Sequence, residues 1–438
     1  MPHKSPSKLK RILKVLGPGL ITGSSDDDPS GIATYSQAGA KFGLTTLWTA
    51  LITFPLMASI QEMCARIGIV TSVGLTTTLK KHYPKWLLYL MMVISIPAII
   101  LNIGADIAGM AAVSHMIVPS VKPVFFSIGF TILLLWLIVY LPYDKIVSVL
   151  KYLCLSVLLY IAVPFFTYPN WGAVLRHTFI PTISMNKDFF EVLVALLGTT
   201  ISPYLFFWQV TMEAEDVKKT NRVVLARRRL VRDKNSTSYK REQNFFRLLI
   251  KKMQLDVNVG MLLSNMVMFF IILATGTALF NNGIREVATV EQAAKALEPV
   301  AGKASYILFA IGVLGTGFLA IPVLSGSLSY IVSETFGWKA SLDKKYWQAK
   351  KFYTVIALSL GSALLINYIG ITAIQALFYT ALLYGLTSPV LIAIILHIGN
   401  RKKIMKEYTN SRLSNVLGVL TFILMLASAI ALIWFQFS

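Results

Sequence analysis

The chain has 438 residues, 55% hydrophobic and 14% charged, with 41 Lys and Arg against 20 Asp and Glu for a net charge of +21. A water-soluble domain carries roughly a quarter charged residues, so the composition argues against one. The basic excess sits between apolar runs, where membrane topology already requires it, and no nucleic-acid partner is expected.

Apolar runs of about 20 residues recur along the chain, each long enough for a hydrocarbon core of roughly 30 Å. They are continuous rather than alternating, which selects helices over a barrel. The expected spans are 17–38, 44–69, 86–115, 124–142, 147–167, 188–212, 255–280, 304–332, 352–371, 374–397 and 414–436. The fold class is therefore all-α, a polytopic membrane protein of about eleven helices. A basic N-terminus, 1–16, precedes the first span and carries no small-residue cleavage site of a signal peptide.

Lys and Arg distribute unevenly among the loops. The stretch 218–252 holds Lys218, Lys219, Arg222, Arg227, Arg228, Arg229, Arg232, Lys234, Lys240, Arg241, Arg247, Lys251 and Lys252. The segments Lys80–Lys85, Lys339–Lys351 and Arg401–Lys406 are also basic, whereas 116–123, 168–187 and 281–303 are poor in Lys and Arg. This asymmetry places the N-terminus and basic loops in the cytoplasm of an integral membrane protein, with Ser438 outside. The segment 213–253 is expected to be a soluble basic loop with a polar, mobile middle, Asp233–Gln243. Ordinary topology-setting charge explains the loop, while Arg222–Arg232 also suits an anionic lipid surface.

Ionisable residues inside a bilayer are costly and mark functional sites by default. Span one is interrupted by Gly23-Ser24-Ser25-Asp26-Asp27-Asp28-Pro29-Ser30-Gly31. Pro29 lacks a backbone donor and disfavours a helical residue before it, so the spacing predicts an unwound segment beside Asp28. Asp27 and Ser30 neighbour that site. Span six carries a second break, Gly198-Thr199-Thr200-Ile201-Ser202-Pro203-Tyr204. Paired interruptions mark an inverted-repeat transporter with its site between the breaks. The first repeat is then 17–167, the second 188–397, and 414–436 an added helix. Asp106 in span three is a candidate for a proton or ion path. Glu62 and Arg66, spaced i, i+4, are expected to pair with each other. Cys64 and Cys154 lie in apolar runs and suggest neither a metal cluster nor a disulfide.

These residues resemble the Nramp family of divalent metal transporters. Gly17-Pro18-Gly19, Asp28-Pro29-Ser30-Gly31-Ile32-Ala33-Thr34 and Gln37-Ala38-Gly39-Ala40 are similar to its first helix. Ala65-Arg66-Ile67-Gly68-Ile69-Val70-Thr71 resembles its second, and Thr200-Ile201-Ser202-Pro203 its sixth. The resemblance covers essentially the whole chain and implies a LeuT-type fold, five plus five helices and one more, with helices one and six broken. It implies metal ligation by Asp28 and by the carbonyl of Thr199. Gly31 stands where the family has a ligand asparagine, Ser202 where it has a ligand methionine, and Tyr204 where a histidine follows the proline. Asp106 is retained, but Gly109 stands at the family's nearby glutamate, and Ala381 and Thr387 occupy positions where glutamines are typical. These departures resemble the divergent branch linked to magnesium transport.

A thioether favours softer metals, whereas oxygen ligands suit Mg²⁺ and Mn²⁺. Mg²⁺ keeps several waters and uses one or two carboxylates, which fits a roomier site. The expectation is a carrier for partly hydrated Mg²⁺ or Mn²⁺, not coupled to protons, because tyrosine, unlike histidine, holds its proton near neutral pH. No cofactor is expected; the metal ion is the substrate. One alternative is an organic-solute carrier of the same fold, against which three adjacent aspartates argue. Another is a proton-coupled transition-metal carrier. An enzyme is not expected, since His3, His82, His115, His177 and His397 are scattered and no nucleophile–base pair or HExxH motif is present.

Overall fold

The computed structural model describes residues 18–141, 160–167, 169–220, 237–365 and 370–437. The first span is two helices, α1 (Pro18–Asp26) and α2 (Pro29–Phe42). There follow α3 (Leu47–Thr71), the short α4 (Leu75–His82), α5 (Lys85–Ile117) and α6 (Pro123–Tyr140). The sixth span is again split, into α7 (Lys187–Thr200) and α8 (Pro203–Thr220). The remaining long helices are α9 (Thr237–Ala278), α10 (Ser305–Phe336), α11 (Lys350–Ala363), α12 (Ala373–Asn400) and α13 (Arg412–Phe437). The fifth expected span lies mostly outside the described residues, as do Cys154 and Arg222–Arg232. No strand occurs among the described residues.

One expectation is corrected. The segment 213–253 is not a loop throughout: α8 continues to Thr220 and α9 begins at Thr237. At 42 residues, α9 is about 63 Å long, far more than a bilayer core requires, so its basic first turns project beyond the apolar layer. The polarity of Gln243–Lys252 reports a position outside the membrane, not a lack of helix.

Long apolar side chains cover the outer surface, among them Phe125, Ile132 and Trp136 on α6 and Val416, Ile423, Ile430 and Trp434 on α13. Around an all-helical bundle of this kind such a surface faces lipid, and the protein is an integral membrane protein.

Inside the bundle, small residues let backbones approach. A Cβ on Gly23 of α1 would overlap the backbone of Gly260 on α9, and one on Gly19 would lie 2.7 Å from the Val257 amide. Likewise a Cβ on Gly198 of α7 would strike the Ala381 carbonyl of α12, and Gly385 meets Val194 in the same way. Close packing of this type replaces the hydrophobic driving force that lipid removes. Asp256 on α9 accepts hydrogen bonds from the amides of Gly19 (2.7 Å) and Leu20 (3.3 Å), satisfying free donors at the start of α1. Arg66 pairs with Glu62 as expected, and it also donates to the Thr409 carbonyl at 3.0 Å. Cys64 is buried as a free thiol.

Candidate functional site

Both breaks form for the reason the sequence suggests. Pro29 opens α2 and Pro203 opens α8, each at a first helical position where a missing amide costs nothing. Asp28 is the N-cap of α2, with extended backbone (φ −70°, ψ 172°), and its Oδ1 accepts the Gly31 amide at 2.7 Å. Its other oxygen, Oδ2, accepts the side-chain amide of Asn102 on α5 at 3.0 Å. The Asn102 carbonyl accepts the Thr380 hydroxyl of α12 at 3.1 Å, which turns the NH₂ toward Asp28. Thr380 lies 3.3 Å from the Ser30 hydroxyl, and Ser30 donates to the Leu377 carbonyl at 2.8 Å. Asp28 is thus held by α2 and α5, with α12 fixing the Asn102 amide that meets it.

Gly31 sits at the centre of this arrangement. The position its side chain would take is bounded by the Asp26 carbonyl oxygen at 3.3 Å, the Tyr35 ring at 3.4 Å and Thr199 Oγ1 at 3.5 Å. The first break and the sixth-span break therefore approach each other closely at Gly31, where even a Cβ would be tightly surrounded.

In the second break the freed carbonyls are met by hydroxyls. Ser202 donates to the Thr199 carbonyl, and Ser388 of α12 donates to the Ile201 carbonyl at 3.0 Å. Tyr204 donates to the Ser25 carbonyl at 2.8 Å, tying the start of α8 to the end of α1, and its ring lies 5.9 Å from that of Tyr384. Ser202 thus contacts the carbonyl that the resemblance implies as a ligand, and Tyr204 serves as a tie between the two breaks.

Asp106 is fully buried, and neither of its oxygens makes a hydrogen bond among the described residues, although the Ser30 amide lies on that side of it. One turn on, the Gly109 position is walled by Leu377, 3.1 Å from where a Cβ would stand, and by Pro29 at 3.7 Å. Apolar groups occupy the space where a second acid would sit. Asp27 does not join Asp28: it faces α9, 3.2 Å from the Ser264 hydroxyl.

The structure therefore brings together Asp28, Gly31, Thr199, Ser202, Ser30 and Tyr204, and places Asp27 on another side of the break. Sequence reasoning gave no role to Asn102, Thr380 or Ser264. Asn102 stands four residues from Asp106 in an apolar helix, a spacing that puts both on one face and was the available signal. No three His, Cys, Asp or Glu side chains converge among the described residues. The polar groups at the two breaks are one carboxylate, carbonyls and hydroxyls.

Comparisons agree with this architecture. The manganese transporter of Eremococcus coleocola superposes with a TM-score of 0.72 at 17% identity, covering 98% of this chain and 87% of that one. Mhp1, a nucleobase-cation-symport-1 family transporter, gives 0.54 at 13% identity over 96% and 92%. These likenesses show the LeuT-type fold. In sequence the chain is 25% identical to a divalent metal cation transporter, MntH, of Caldanaerobacter subterraneus, over 94% of this chain and 91% of that protein. It is 24% identical to the MntH of Yersinia enterocolitica over 96% and 94%. The description "Natural resistance-associated macrophage protein-like" matches residues 19–435, and the chain belongs to that family, Nramp.

Proposed function

We propose that this protein is a carrier that moves hard divalent cations, Mg²⁺ and Mn²⁺, across a membrane as partly hydrated ions. The observation that carries the reading is Asp28: a buried carboxylate at the first break, oriented by Gly31 and Asn102, where Gly31 lies against the Asp26 carbonyl and Thr199 of the second break. The groups facing Gly31 beside it, the Asp26 carbonyl and Thr199 Oγ1, are oxygen, which suits hard ions. A single carboxylate suits Mg²⁺, which sheds its hydration shell reluctantly and uses few protein ligands. The relatives' stated transport of divalent metal, and of manganese by the Eremococcus coleocola protein, agrees in ion class. Asp28 and the Thr199 carbonyl are read as direct ligands, with Gly31 and Ser202 leaving space for water where bulkier ligands would displace it. Asp106 and Tyr204 line the ion's path. The basic side, with 218–252, is read as cytoplasmic, and the absence of an acid at Gly109 supports transport without proton coupling.

Uptake by purified protein in liposomes, comparing Mg²⁺, Mn²⁺ and Ca²⁺, tests the reading. Asp28→Ala is expected to abolish uptake while leaving a monodisperse protein. Uptake at the normal level in that variant would overturn the site.

A further inference from the structure

Asp26 and Asp27 lie beside the metal site, yet their side chains belong to a different place in the bundle. Asp28 turns toward Asn102 on α5, whereas Asp26 and Asp27 turn toward Ser264 on α9. Asp26 and Asp27 are only 1% and 6% exposed, and Ser264 2%. The Ser264 hydroxyl is 2.8 Å from Asp26 Oδ2 and 3.2 Å from Asp27 Oδ1.

A hydroxyl has one proton and serves one of these carboxylates at a time; the other then meets an oxygen lone pair. The second Asp26 oxygen, Oδ1, is buried and has no hydrogen-bond partner among the described residues. None of the described ion pairs involves either carboxylate. Two acids in a membrane interior with one shared donor and one orphaned oxygen are neutralised by protons or by a cation, and ion counting separates the two. A divalent ion balances two carboxylates, and an oxygen-only donor set selects a hard one. No third acid converges there among the described residues, so the ion keeps part of its water.

We propose that Asp26, Asp27 and Ser264 form a second subsite for a hard divalent cation, on the α9 face of the break, and that it holds a second copy of the cargo ion. The proposal rests on the reading of the cargo as a divalent cation. The Asp26 residue joins the two places, because its side chain faces Ser264 while its carbonyl faces the opening at Gly31.

The test counts ions. Purified full-length protein in detergent is equilibrated with Mn²⁺, and bound metal is measured per chain, with electron paramagnetic resonance recorded on the same samples. Wild type is expected to bind two ions, with dipolar broadening between them. The double variant Asp26→Asn, Asp27→Asn and the variant Asp28→Asn are each expected to bind one, without broadening. Ser264→Ala keeps both acids and is expected to bind the second ion about tenfold more weakly, the usual size of a lost supporting contact at a metal site. One ion in wild type, lost only in Asp28→Asn, would overturn the second subsite and leave the proposed function standing. Loss of one ion in the double variant with none lost in Asp28→Asn would uphold the second subsite and remove Asp28 as a ligand. Should the double variant not be monodisperse, unchanged second-ion affinity in Ser264→Ala decides against the proposal.

Discussion

Asn102 on α5 donates its side-chain amide to Asp28 Oδ2 at 3.0 Å, so the residue that orients the Asp28 carboxylate comes from a helix with no break of its own. Thr380 on α12 fixes the orientation of that amide through the Asn102 carbonyl at 3.1 Å. The carboxylate is set by two helices that pack against the broken one, and disturbing either partner should weaken metal binding while leaving the ligand in place.

Asn102→Ala is therefore expected to raise the KM for Mn²⁺ uptake by about 10-fold, the range for supporting contacts at metal sites. Thr380→Val should act in the same direction and more weakly, since the amide survives but loses its anchor. Liposome uptake at graded metal concentration measures both. A KM unchanged in Asn102→Ala would separate the hydrogen bond from metal affinity.

Ser202→Met should shift competition toward Mn²⁺ and Cd²⁺, because a thioether is a soft ligand. It also removes the hydroxyl that donates to the Thr199 carbonyl. The check is inhibition of Mg²⁺ uptake by Cd²⁺. Equal inhibition in wild type and variant would show that position 202 does not face the ion.

Gly31→Asn restores a polar side chain in the opening between the Asp26 carbonyl, Tyr35 and Thr199. At 3.3 to 3.5 Å a Cβ is tight but accommodated with small shifts. The added amide takes space and ligand positions from water, which penalises Mg²⁺ most. The ratio of Mn²⁺ to Mg²⁺ uptake is expected to rise several-fold; a fall in that ratio would count against water-filled space at Gly31.

Gly23→Ala tests the seam between α1 and α9. Its Cβ would overlap the Gly260 backbone, where no flexible side chain can move aside. A cost of about 1 to 3 kcal/mol is expected for such overpacking. A thermal-unfolding scan in detergent should show a lower midpoint, while Gly283→Ala, where nothing lies within 4 Å, reports only the backbone cost of its positive φ.

Much of this architecture was legible because its signals are local. Pro29 and Pro203 act on their own amides and on the residue before, so both breaks follow from the chain alone. The Glu62 and Arg66 pair is equally local, being one helical turn. Asn102, Thr380 and Ser264 were not legible in this way: each is a single polar residue in an apolar helix, and its role depends on which helix faces it. The reach of α9 was missed for a different reason. Its first turns are rich in Lys, Arg and Gln, which are good helix formers, but hydropathy reads only where the membrane is. Asp27 shows the limit most clearly, since adjacency to Asp28 suggested a common site and the chain turns the two side chains to different helices.

The last prediction concerns the energy source. A proton-coupled carrier needs a titrating group near the ion and a route for the proton. The residue after Pro203 is Tyr204, whose hydroxyl is engaged with the Ser25 carbonyl. The next turn after Asp106 offers Gly109, walled by Leu377 and Pro29. A relay through that region has Asp106 but apolar groups at Gly109, with no second acid there to receive the proton. A proton is also not needed to drive uptake. A negative interior supplies roughly 2.3 kcal/mol per charge at 100 mV, about 4.6 kcal/mol for a divalent ion. Metal entry without stoichiometric H⁺ movement is therefore expected. Liposomes carrying an internal pH dye, with membrane potential set by K⁺ and valinomycin, measure this directly. Uptake should follow the potential, and internal pH should stay constant once the potential is clamped at zero. Metal-dependent acidification that persists under that clamp would show the carrier to be proton-coupled.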